Sequence, residues 1–562
     1  MPKRIRRLCF LTLLALLCLL PSAGSASKTY GITASFQLDG TEIAVRAWVV
    51  ENRYMLFLPG FCDPSAVTIN LEGADSLTVG DMTIASGETV DFSACLGASQ
   101  KLLSPKGKNL GTLTVYHGSA LPSLFLTVDA KQLSSVNKSK HNEITEGSVI
   151  YAEPDGTVSY NGDLTSFHGR GNSTFAYKKK PYQLKLSRKA SLSGMNQGKT
   201  WILLANYQDL SLLRNKITLD LCREIGIPFA VDSRMVDVYI NGLYNGLYLI
   251  TEKIQVGKQR VNITDLEEIT QELNDKAVDS YPKFREKTRE LPIFRGYEIP
   301  VDPEDVTGGY ILEMEKSYRF RDYIDNGFKT HQGLSITIKE PTCASRAQVH
   351  YIGTLFNDFH EALCAVDGVS PVTGTYYADY IDLPSFARKF LVEEFSKNYD
   401  AQASSQFFFK DSDAVDGRIY AGPCWDYDLS YGNIRTGNFR SGSLPTGAYV
   451  TVSTSTSNLY GLLSRRDDFM AEVADAYHTD LAPAIRILLG EAEPSGNSQL
   501  QSIDAYVADM DASARMNFVR WRAANVKGYY TGSGQSFDAS VQYLRDFIAQ
   551  RLAFLDTQWP EE

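Results

Sequence analysis

The chain has 562 residues, of which 43% are hydrophobic, 22% charged and 11% aromatic; this excludes disorder, collagen and coiled coil as the main architecture and leaves room for several domains. The 56 Lys and Arg against 66 Asp and Glu give a net charge of −10, which argues against a nucleic-acid binder whose affinity rests on neutralising phosphates. An anionic ligand would need a local basic pocket.

Lys3, Arg4, Arg6 and Arg7 precede an apolar run over 8–20 and the small residues Ala23, Gly24, Ser25 and Ala26. That is the order of a secretory signal peptide over 1–26, cleaved near Ala26. Leu17, ahead of Cys18, argues against a lipoprotein anchor. No later stretch approaches the ~20 apolar residues of a transmembrane helix, so the mature chain is expected to be secreted or held at the cell surface. Cys62, Cys95, Cys222, Cys343, Cys364 and Cys424 remain, none in a C-x-x-C pair, which argues against structural zinc. Cys62 with Cys95 is the disulfide to test, with buried free thiols as the alternative.

From Tyr30 to about Val128, short β-branched runs at 33–38, 43–48, 54–58 and 111–116 are separated by turns such as Asp39-Gly40. They predict a β-sandwich-like accessory module over 27–135, for surface binding or spacing. The polar stretch 137–144 reads as the joint to the next domain. From 148, a hairpin turns at Asp155-Gly156, strands follow at 182–186 and 201–205, and Leu213, Ile217 and Leu221 mark a helix over 212–224. Asn241-Gly242 and Asn245-Gly246 join two strands at 235–240 and 247–250. The charged segment 267–295 reads as an exposed insertion. The last third is helical: Pro384 opens a helix with Phe386, Phe390, Leu391 and Phe395 on one face, and further helices are expected at 467–489, 502–524 and 539–559. The predicted class is α+β, with one domain over 145–562 that includes the helical C-terminal part.

Several common chemistries fail. His360-Glu361 lacks the second histidine of a zinc protease, and no G-x-S-x-G elbow occurs. Residues 194–200 are one short of a P-loop and lead into a strand, without the helix N-terminus that phosphates need. Glu393 and Glu394 are neighbours on a helix, about 100° apart, and cannot flank one glycosidic bond.

Two blocks remain. In Gly169-Arg170-Gly171-Asn172-Ser173-Thr174 a glycine turn lets backbone amides approach an anion, and Arg170 with the lysines at 178–180 and 185 could offset phosphate charge; a solvated surface hairpin would look the same. In the second block, a helix leads into Asn398-Tyr399-Asp400 and Ser404-Ser405, and a hairpin then ends in Trp425-Asp426-Tyr427-Asp428. This connectivity brings Asp400 and Asp426 to one sheet edge, where carboxylates would bind Mg²⁺ or Mn²⁺ and orient an attacking hydroxyl; helix or turn capping is the alternative. The order of parts is a phosphate cover, a strand lysine, a base and a metal ligand, which is that of a protein kinase without the eukaryotic-type motifs.

These blocks, together with 201–206, Asp209, Leu213-Arg214-Asn215, 241–248, Thr251-Glu252-Lys253, 308–313 and Gly432-Asn433, resemble the spore coat protein H (CotH) kinase family over roughly 165–435. The resemblance implies a secreted, atypical protein-kinase-like fold. It also implies ATP- and Mg²⁺- or Mn²⁺-dependent phosphorylation of Ser/Thr in a protein partner such as a cell-wall, spore-coat or surface protein. Carried onto this chain, Asp400 is the catalytic aspartate, Asp426 the metal ligand and Asp428 a second ligand or an orienter. Lys185, with Lys180 as runner-up, is the phosphate-contacting lysine, Glu252 its partner, and Arg170 and Asn172 lie by the nucleotide. One position departs: Ser405 stands where family members with the clearest kinase site carry a metal-binding asparagine, and a serine hydroxyl is a shorter, weaker ligand. The alternative is a non-catalytic surface scaffold that retains the fold.

Overall fold

A computed structural model describes residues 30–434, 440–453, 455–521 and 536–561; the predicted signal segment lies outside them. Asp39 and Gly40 both take positive φ, 47° and 71°, the backbone a two-residue hairpin turn requires. They pair Leu38 directly with Thr41. The hairpin Gly31–Leu38 and Thr41–Arg46 joins Val67–Glu72 and Glu88–Val90 in a four-stranded sheet. Trp48–Val50, Arg53–Leu58, Asn109–His117, Ser99–Leu103, Ser76–Val79 and Met82–Ala85 form a six-stranded one. Alternating apolar residues from both sheets, among them Ala34, Val45, Leu56, Ile69 and Val115, share one core.

The chain leaves these sheets earlier than position 135. Ser123–Thr127 runs parallel to Ser233–Ile240 and antiparallel to Gly147–Ala152, inside an eight-stranded sheet. Its continuous apolar run Leu124-Phe125-Leu126 is buried, as suits a strand covered on both faces. One face of this sheet meets the N-terminal sheets, where Phe57 stacks on Tyr244 at 4.9 Å between centroids. The other face buries Leu124, Val236, Val238 and Tyr248 in a separate core.

A seven-stranded sheet follows, in the order Lys283–Glu286, Ile293–Tyr297, Gly327–Lys329, Ser335–Glu340, Tyr310–Met314, Gln406–Lys410 and Tyr420–Ala421. The segment expected as an exposed insertion thus supplies two strands. Phe284, Leu291 and Phe294 are buried and outweigh the charges between them. The helices Arg346–Cys364 and Leu383–Ser396 pack on this sheet through Phe356, Phe359, Phe386 and Phe408, and further helices up to Phe537–Gln558 complete the C-terminal part. The fold is α+β. Among the described residues no helix is long and apolar enough to cross a membrane, and all six cysteines there are free thiols, Cys62 and Cys95 included.

Candidate functional site

A cleft of about 1080 Å³ opens between the eight- and seven-stranded sheets. Its lining includes Arg170 and Asn172 from one side and Asp400, Ser405, Asp426 and Asp428 from the other.

The first wall is a strand reversal. Val158–Gly169 pairs with Tyr182–Ala190, with Gly169 opposite Tyr182, and the chain between them forms the turn. Gly171 sits at φ 83°, backbone that L side chains rarely adopt, and a Cβ there would press on Thr174 Oγ1, so the turn favours glycine. The Arg170 amide donates to Pro181 O at 3.1 Å, while its guanidinium lies over the Trp425 ring at 5.2 Å. Burial lowers the Arg170 pKa, against the carboxylates of Asp426 and Glu313.

The second wall begins where the helix Leu383–Ser396 ends. Asp382 caps its start by accepting from the Ser385 amide at 3.1 Å, with Pro384 in the first turn, and Lys397 at φ 48° stops it. The Asp400 amide then donates to Asn398 Oδ1 at 3.2 Å, and the Ser404 hydroxyl donates to Asp400 Oδ1 at 3.1 Å. Ser405 and Asp426 both adopt left-handed backbone, φ 57° and 75°, a strain of order 1–3 kcal/mol each that surrounding structure must hold. They face each other: Ser405 Oγ donates to Asp426 Oδ2 at 3.2 Å.

The floor explains the strained loop. Tyr427 donates its amide to Asn215 Oδ1 at 2.8 Å and its hydroxyl to Glu393 Oε1 at 2.6 Å. Glu393 is also paired with buried Lys389 at 2.9 Å. Asn433 Nδ2 donates to Asp428 O at 2.7 Å and Gln208 O at 3.1 Å. Arg214 Nε reaches Ser430 O at 2.9 Å while its Nη1 pairs with Asp209, both side chains fully buried. Polar side chains 206–215 from one sheet's edge thereby fix the acidic loop of the other.

Electrostatically the acidic side is under tension. Burial pushes the Asp426 carboxyl up to about 6, aided by the Asp400 charge and opposed by Arg170 and the Ser405 bond. Burial and the charges of Asp426 and Asp400 raise Asp428 well above the usual range. A cation would relieve this. Among the described residues no group of three or more His, Cys, Asp or Glu is arranged to hold a metal, so the protein offers a carboxylate pair and a hydroxyl. That set fits Mg²⁺, which takes one or two carboxylates and completes its shell with water and phosphate oxygens.

The expected basic residues separate. Lys185 does not line the cleft; the pleat that buries Leu184 and Leu186 turns it to the opposite, exposed face. Glu252 instead accepts from Asn196 N at 3.1 Å and pairs with Arg260 at 2.9 Å, beside a second cavity of about 310 Å³. Lys180 donates to Phe175 O at 2.6 Å and lies over that ring, holding the turn from behind. Sequence reasoning missed Lys316, whose Nζ lies 2.8 Å from Asp400 Oδ1 and over the Tyr399 ring. Burial alone would lower the Lys316 pKa, but the Asp400 charge and hydrogen bond outweigh it and raise it. Its only sequence signal is its place just after the Gly308-Gly309-Tyr310 block. Lys339, Glu313 and Arg319 complete this wall.

No curated protein matches the chain. The family described as CotH kinase protein matches residues 167–555, which include Arg170, Asn172, Asp400, Ser405, Asp426 and Asp428, and the chain belongs to this family.

Proposed function

We propose that the protein is an exported, atypical protein kinase that transfers a phosphoryl group from ATP to a Ser or Thr hydroxyl of a partner protein. The observation that carries this reading is the convergence, across one cleft, of the Gly169–Asn172 turn and Arg170 with Asp400 and the Asp426–Asp428 loop. Phosphoryl transfer asks a protein for little beyond position and charge, and each wall supplies one part. The Arg170 guanidinium, with five N–H donors and no hydrogen-bonding partner among the described residues, is free to grip phosphate oxygens. The Trp425 face beneath it offers a flat apolar surface. Asp400, part-exposed to the cleft, takes the proton of the attacking hydroxyl. Lys316 keeps the Asp400 carboxylate oriented until that hydroxyl arrives.

Asp426 and Asp428, with Ser405 alongside, are the residues that would hold Mg²⁺ or Mn²⁺. Such an ion, when bound, neutralises charge on the phosphates. The basic, apolar and small-residue order of the first 26 residues supports export, and the acceptor would then be a cell-wall, spore-coat or other surface protein.

Thermal melting tests the ligand half of this reading. ATP with Mg²⁺ or Mn²⁺ is expected to raise the melting temperature of the wild type and to leave Asp426→Asn unmoved, because only ligand that binds the folded state stabilises it. No shift with either metal would leave the alternative, a surface scaffold that retains the fold.

A further inference from the structure

Lys140 precedes the family-matched residues, yet it lines the cleft. The segment that carries it is fixed against the glycine turn on both sides. Before it, Asn137 Oδ1 accepts from the Tyr182 hydroxyl at 2.7 Å. After it, Glu143-Ile144 pairs with His168 and Phe167, and the Glu143 carboxylate accepts from the Ser166 hydroxyl. Between these anchors Lys140 Nζ donates to Gly171 O at 3.1 Å and to Asn172 Oδ1 at 3.3 Å.

Both acceptors are neutral, and among the described residues no carboxylate forms an ion pair with Lys140. Its charged neighbours are cations. Burial lowers its pKa, and the positive charges of Arg319 and Arg170 lower it further. Arg319 is engaged by Glu315 at 3.0 Å; Arg170 faces Asp426 and Glu313. Lys140 is therefore the uncompensated charge at this end of the cleft. Positive charges brought together repel unless an anion lies among them, and the adjacent backbone of a glycine turn is suited to one.

We propose that Lys140, Arg170 and Arg319 form a polyphosphate-binding end of the cleft, with Lys140 supplied by the segment that precedes the family domain. Naming the ligand as the polyphosphate of ATP rests on the kinase reading above; the anion site itself does not.

Calorimetric titration of the full chain with ATP and with inorganic tripolyphosphate, at low salt, tests this in wild type, Lys140→Gln and Lys140→Arg. Glutamine keeps an amide donor for the turn and removes the charge. The expected result is a roughly tenfold weaker affinity for both ligands in K140Q, the size of one charge-assisted contact, with recovery in K140R. Equal affinity in K140Q and wild type would overturn the proposal, as would failure of wild type to bind tripolyphosphate. Lys140-dependent tripolyphosphate binding without phosphoryl transfer from ATP would uphold the anion site and sink the kinase reading.

Discussion

Replacing Asp209 with asparagine removes one charge from a pair that has no access to water. Both Asp209 and Arg214 are fully buried, and Asp209 also accepts from the amides of Ser211 at 3.0 Å and Arg214 at 2.8 Å and from the Ser211 hydroxyl at 2.6 Å. In the variant the guanidinium keeps Ser430 O at 2.9 Å but loses its counter-charge. Breaking a buried pair by removing one partner costs about 3–5 kcal/mol, far more than a surface pair. Because Arg214 reaches the acidic loop through Ser430, ATP-dependent stabilisation is expected to vanish even where Asp209→Asn remains folded. Urea unfolding followed by tryptophan fluorescence reads the first effect, and melting with and without ATP reads the second. A loss below ~1 kcal/mol with normal ATP stabilisation would refute the view that this pair holds the two sheets' edges in register.

Gly171→Ala forces a side chain into left-handed backbone and onto Thr174 Oγ1; it is expected to weaken ATP binding by tenfold or more while shifting overall stability by only about 1–3 kcal/mol, as calorimetry and urea unfolding would show. Asp400→Asn is expected to lower the phosphorylation rate by roughly 10²–10⁴ with little change in ATP affinity, the signature of a lost general base. His360 is buried, with Nε2 donating to Thr456 O at 2.7 Å and Nδ1 accepting from Thr330 Oγ1 at 2.9 Å. Burial depresses its pKa to about 4, so the folded state disfavours the charged ring: its stabilising contribution is complete above pH ~6.5 and falls as pH drops, by roughly 2 kcal/mol at pH 5. Asp237 and Glu340, raised by burial to about 6 and about 7, act with opposite sign, so the effect is read as the difference between wild type and His360→Gln in urea titrations at pH 7.5 and 5.

What the sequence disclosed was local. Asp39-Gly40 and Pro384 announce a hairpin and a helix start through their own backbone preferences, and both stand where expected. Asp400, Asp426 and Asp428 were legible because helix, hairpin and loop are consecutive in the chain; the bonds from Asn215 and Arg214 that fix the acidic loop were not. Lys185 misses the cleft because no residue of its strand, Tyr182–Ala190, reaches the lining: alternation shows which residues share a face, but not whether either face looks onto the cleft. Charges between 285 and 290 masked the apolar anchors Phe284, Leu291 and Phe294 that tie this segment to the seven-stranded sheet. Lys316 meets Asp400 across 84 positions, and Lys140 meets a turn 31 positions on. Contacts of that reach have no periodic signature.

The most direct test of the central claim is the intact mass of the mature protein and a serine-rich acceptor after incubation with ATP and Mg²⁺ or Mn²⁺, beside Asp400→Ala and Asp426→Ala. Phosphoryl transfer at this cleft predicts one or more added phosphates in the wild-type reaction and none with either variant. An unchanged mass with both metals in the wild type, or an equal gain in the variants, would contradict it.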